Sequence, residues 1–164
     1  MATVNDAIVY SLDISRKLFD RYLADLKPAD FDHHVAPGTN SAAWIAGHLV
    51  LTDRRALGAL GVTDLPALPE GFDAQFPVTR VAAPPAQAHV TPGSELVELF
   101  RANRARLIAA AAAAPPEVLN APADKPGPAF QTVGEMVEFM GIHTALHLGQ
   151  VTIIRRSLGY PPVT

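Results

Sequence analysis

The chain has 164 residues, 49% of them hydrophobic and 18% charged, and a net charge of −3. That is enough for one domain with its own core, spanning residues 1–164, and too little for two. It lacks the clustered lysine and arginine that nucleic-acid binding needs, and having no cysteine it excludes disulfides, thiolate-bound zinc and cysteine nucleophiles.

In the first helical stretch Ile8, Leu12, Ser15, Phe19, Tyr22 and Leu26 recur at steps of three and four, which makes one apolar stripe ended by Pro28. The second starts at Asn40 or Ser41, either a good N-cap, and runs to the Gly58–Gly61 region. Ile45, Leu49, Thr52, Ala56 and Leu60 lie along one side of it, with Trp44, His48 and Leu51 on the adjoining strip.

The third opens at Thr91 or Ser94, where Glu95 and Glu98 complement the helix dipole, and an alanine run carries it to Pro115. Its arginines, from Arg101 to Arg106, read as a solvated face. The fourth begins with Thr132-Val133-Gly134-Glu135, a capping box by pattern, and stops at Ser157-Leu158-Gly159-Tyr160-Pro161. Its inward stripe is Met136, Phe139, Met140, His143, Leu146, His147, Gln150 and Ile154.

No stretch alternates with period two, so no sheet is expected. The reading is all-α: a four-helix bundle with long crossover loops. Of the two long proline-rich connectors, residues 61–91 and 115–131, the first carries Phe72 and Phe76, which are expected to pack on the bundle. Loops of this length are commonly lids or binding loops, so the 61–91 segment is a candidate lid. No segment reaches ~18 apolar residues and no apolar run follows positive charges near the N-terminus, so neither a membrane span nor a secretory leader is expected. The cytoplasm is the expected compartment.

His143 and His147 stand one helical turn apart on the inward stripe, the spacing with which one helix offers two nitrogens to one metal ion. If the second helix faces the fourth, His48 completes a set of three imidazoles. Three neutral nitrogens with a fourth position open make a catalytic zinc-type site. The alternative for each is a hydrogen-bonded core histidine. Thr144, not glutamate, follows His143, so the zincin pattern and its built-in base are absent. Gly47, Gly141 and Gly149 flank the histidines and call for a reason such as close helix approach, since helical glycine costs about 0.5–1 kcal/mol relative to alanine. His33, His34 and His89 sit in connectors and are not first choices as ligands, although His34 can line a pocket mouth.

The block Asn40-Ser41-Ala42-Ala43-Trp44-Ile45-Ala46-Gly47-His48-Leu49 resembles the second-helix signature of the DinB-like superfamily of metal-binding bundles. His143-Thr144-Ala145-Leu146-His147-Leu148-Gly149-Gln150 resembles its fourth-helix signature, and Leu158-Gly159-Tyr160-Pro161 its common ending. The resemblance implies a divalent metal, zinc or nickel foremost, on His48, His143 and His147, and a homodimer. Characterised members include S-transferases and isomerases using low-molecular-weight thiols such as bacillithiol, mycothiol or glutathione.

The expectation is a metal-dependent enzyme, a thiol S-transferase, isomerase or hydrolase, in which the metal activates a thiol or water against a small-molecule substrate. Gln150 and Asn103 are candidate second-layer residues orienting ligand or solvent. Arg54 and Arg55 are candidates for holding a substrate carboxylate or for plain solvation. Asp53, turned about 140° from His48, is a poor candidate base. The competing reading is a non-catalytic, stress-related ligand carrier or dimeric scaffold with structural or vestigial histidines.

Overall fold

The computed structural model describes residues 3–76 and 90–163. Its four long helices are α1 (Val4–Leu23), α2 (Ala42–Ala59), α4 (Gly93–Ala113) and α6 (Val133–Ser157). Two single-turn helices, α3 (Phe72–Gln75) and α5 (Pro116–Leu119), lie in the connectors, with a 3₁₀ turn at Pro28–Asp30. None of the described helices is long and apolar enough to cross a membrane.

Three of the four long helices start on a side-chain cap, whereas α4 opens after Pro92 without one, not on Thr91 or Ser94. Thr3 caps α1 in a reciprocal box with Asp6, and Thr132 caps α6 in the same way with Glu135. At α2 the cap is Ser41, whose hydroxyl accepts from the Trp44 amide. Asn40 is thereby free for other work.

The helices form an all-α four-helix bundle. Gly141 approaches Ser11 while Arg155 reaches the Tyr22 carbonyl, so α1 and α6 run parallel. Asn5 meets Ala111 and Arg101 meets Asp20, so α4 is antiparallel to α1. Asn40 meets Gln150 and His48 meets His143, which makes α2 antiparallel to α6. The chain therefore runs up, down, down, up. Parallel neighbours cannot be joined by a tight turn, and α2 and α4 need the long 60–92 connector.

Two contacts explain glycines beside the histidines. A Cβ on Gly47 would meet the Phe76 ring at 2.4 Å, and one on Gly141 would meet the Ser11 hydroxyl at 2.2 Å. Phe76 and Phe72 are buried with ring centroids 4.7 Å apart, so the first part of the 61–91 connector packs on α2. Gly149 faces open space. Residues 77–89, with His89 and the remainder of the candidate lid, lie outside the described residues.

The expectation of no sheet is corrected by a small antiparallel hairpin, β1 (Pro122–Gly127) with β2 (Phe130–Thr132). With three residues in β2, no alternation long enough to read can develop. Pro122 and Pro126 are tolerated because a two-stranded ribbon has only edges. The Val133 amide bonds the Ala121 carbonyl, which leads the hairpin into α6.

A polar layer divides the core into two apolar clusters. One holds Phe19, Leu49, Val50, Phe100 and Leu148, the other Leu12, Ala56, Leu107 and Met140. Between these every long helix contributes a buried polar residue to one network: Ser15, Asp53, Arg104 and Thr144. Arg104 corrects the reading of its helix as a solvated arginine face. Its side chain is wholly buried, while Arg101 pairs with Asp20 and Arg106 reaches the Asp64 carbonyl.

The Arg104 guanidinium grips both Asp53 oxygens at 2.8 Å. It also donates to Ser15 at 2.7 Å and the Leu12 carbonyl at 3.5 Å, and to Thr144 at 2.9 Å and the Met140 carbonyl at 3.3 Å. All its N–H groups are therefore used. Burial pushes the Asp53 carboxyl above its ordinary range, and the charge and hydrogen bonds of Arg104 oppose that.

Removing one partner strands a buried charge. Arg104→Met alone is expected to destabilise the chain by about 3–5 kcal/mol in urea unfolding, whereas Arg104→Met/Asp53→Leu regains most of that loss. Equal destabilisation by both would show that the ionic contact is not what the layer depends on.

Candidate metal centre

His48 leaves α2 toward α6, and His143 and His147 leave successive turns of α6 to meet it. The Nε2 atoms of His48 and His143 are 3.3 Å apart, and those of His147 and His143 are 3.0 Å apart. Each residue offers one ligand atom, and all three atoms lie within 4.8 Å of one another. Nitrogens bound tetrahedrally at about 2.0–2.1 Å stand about 3.3 Å apart. The rings cross at 67–75°, so they fan around a common point instead of stacking on each other.

The hydrogen bond behind His147 sets its tautomer. Its Nδ1 is 3.3 Å from the Gln150 side-chain oxygen, which also accepts from the Asn40 amide at 3.1 Å. A carbonyl oxygen only accepts, so the Nδ1 carries the proton and the Nε2 lone pair faces the other histidines. A bound cation would satisfy nitrogens so arranged. The cluster can hold a divalent metal ion, and the imidazole donor set suits one of the zinc type.

The surroundings favour neutral rings. Burial, followed by the His147, His48 and Arg104 charges, pushes the His143 imidazole down to about 3. Burial also lowers His147, against the opposing pull of the Gln150 hydrogen bond. Trp44 stacks on His48 with ring centroids 4.7 Å apart, and Phe139 lies nearly parallel to His143 at 5.9 Å. These two rings place apolar surface against the imidazoles.

The other residues singled out from sequence take different places. Gln150 joins the cluster, whereas Asn103 donates to the Leu99 carbonyl of its own helix. Asp53 turns into the core toward Arg104. Arg55 is exposed, and the half-buried Arg54 borders a surface hollow beside Phe72 and Asp73. His33 meets the Ser157 hydroxyl at 3.0 Å, and His34 meets the Thr39 carbonyl at 2.6 Å. By sequence Asn40 is only a possible cap. Its link to Gln150 spans 110 residues, and no local pattern announces it.

A family model for the DinB superfamily matches residues 11–151. No curated protein and no solved structure matches the chain.

Two outcomes follow from this geometry. Gln150→Leu is expected to weaken metal binding by about 10–100-fold, read by competition with a chromophoric chelator, with an unchanged circular dichroism spectrum. In metal-free protein the unfolded chain protonates His143 near 6.5, while the folded chain resists until about 3. The unfolded state thus binds more protons in that window, and stability falls as pH drops below 6.5. Melting curves from pH 7 to 5 should show this slope, and a His143→Gln variant should show a shallower one.

Proposed function

Because the chain belongs to the DinB superfamily, we propose that it is a metal-dependent enzyme acting on a small electrophile with a low-molecular-weight thiol or water as nucleophile. The observation that carries this reading is the convergence of three histidine Nε2 atoms, one of them oriented by Gln150.

A divalent ion at this site, zinc or nickel foremost, supplies Lewis acidity that brings a thiol or water toward deprotonation near neutral pH. The chain's own residues do the rest. Neutral imidazoles leave the ion's charge uncancelled, unlike carboxylate or thiolate ligands. Trp44 and Phe139 exclude water from one side of each ring they cover, which strengthens every electrostatic interaction inside. Gln150 holds the His147 proton at Nδ1, with Asn40 as its anchor. The cluster includes no carboxylate, and Asp53 is occupied by Arg104. The nucleophile's proton therefore leaves to solvent or to the substrate.

The homodimer belongs to the same reading. Tyr10, Ile14 and Leu18 on α1 and Ile142 and Leu146 on the neighbouring α6 are large apolar side chains at the surface. A second copy covering them would remove this surface from water.

Metal per chain, measured by mass spectrometry on untagged protein beside a His143→Ala/His147→Ala variant, tests the site. Near-stoichiometric metal is expected in the native chain and none in the variant. A native chain that stays empty after incubation with zinc and nickel ends the metal reading. In thiol-transfer assays His147→Ala should abolish turnover with its melting temperature preserved, whereas a structural metal would take stability with it. Sedimentation should give a dimer, and Ile14→Glu/Leu146→Glu a folded monomer.

A further inference from the structure

A metal at the three histidines dictates the orientation of two amides. His147 can present its Nε2 lone pair only with the proton on Nδ1, so the Gln150 oxygen must face it. That oxygen then requires a donor from Asn40, as observed at 3.1 Å. The Gln150 side-chain nitrogen and the Asn40 side-chain oxygen are what remain, and neither has a hydrogen-bond partner among the described residues.

Both residues line a cavity of about 290 Å³, together with Val35, Thr39, Ile153 and Ile154. Its outer wall is built. The Thr39 hydroxyl bonds the backbone of Ala36 in both directions, and His34 holds the Thr39 carbonyl at 2.6 Å. None of the residues lining the cavity is charged. One side therefore offers an N–H donor beside a carbonyl acceptor, and the remainder is largely aliphatic.

We propose that this cavity is a binding subsite for an uncharged molecule bearing a carboxamide-like group and a short apolar tail. The inference rests on the metal reading, which sets the amide orientation. The ligand's carbonyl accepts from Gln150 and its N–H donates to Asn40, while the tail lies on Ile153 and Ile154. A carboxylate or ammonium would find no counter-charge here, whereas the amide matches both polar groups. Occupancy is also felt at the histidines. A ligand drawing on the Gln150 N–H polarises its carbonyl, which strengthens the bond to His147.

The test uses the full chain loaded with cobalt, whose visible spectrum reports on the histidines. N-butylacetamide is titrated beside its charged analogues hexanoate and hexylammonium, with binding followed by ligand-observed NMR. The amide is expected to bind at least about tenfold tighter than either ion and to shift the cobalt spectrum. Ile153→Trp, at a position 58% exposed and so tolerant of size, is expected to abolish amide binding with cobalt uptake intact. Full cobalt uptake with no amide binding, with equal binding of the ions, or with amide binding that survives Ile153→Trp overturns the subsite. A chain that takes up no cobalt overturns the metal reading, and the amide orientation with it.

Discussion

The bundle depends on one buried contact, the two-pronged ion pair of Arg104 with Asp53. A guanidinium wholly removed from water is costly unless every N–H finds an acceptor. Here the acceptors come from the three other long helices, Leu12 and Ser15 on α1, Asp53 on α2, and Met140 and Thr144 on α6, and Arg104 on α4 is the common donor. Apolar side chains can slide past one another at modest cost, but this network is satisfied in one register. The four helices are thus held in longitudinal alignment by a layer that interrupts an otherwise apolar core.

The histidine cluster inherits that alignment. Asp53 lies five residues beyond His48 on α2, and the two groups that receive Arg104 on α6, Met140 and Thr144, bracket His143. A slip of one helix by a single turn would move its ligand about 5.4 Å, more than the 3.0–3.3 Å between the imidazole nitrogens. The ion pair and the histidines are therefore two layers of one construction. One sets where the helices stand, and the other uses the resulting gap between α2 and α6. Gln150 and Asn40 extend the same gap outward, linking the innermost nitrogens to the surface through two amides.

Some of this was legible in the residues and some was not. The α6 capping box, the stripe of α1 and the one-turn spacing of His143 and His147 are local, and each reappears in the structure. Arg104 reads as solvated because it stands among Arg101 and Arg106 on one helix, and nothing local marks it for burial. Its fate depends on Asp53, 51 residues away. The hairpin escaped because β2 is too short to alternate. Gly47 was rightly singled out as needing a reason, but the reason is an aromatic ring from a connector, not a neighbouring helix.

Sequence alone determined what backbone chemistry and short-range periodicity can encode: the long helices, the capping box of α6 and the pairing of two histidines on one face. Its block pattern also pointed to the superfamily. Tertiary structure decided which polar side chains entered the core, because burial of a charge is settled only by the partners that arrive from other helices. It also decided that His48 meets the α6 pair, and that Ser41, not Asn40, caps α2. That last choice released the Asn40 amide to Gln150. Long-range hydrogen bonds of this kind have no periodicity, so only the folded packing of α2 on α6 determines them.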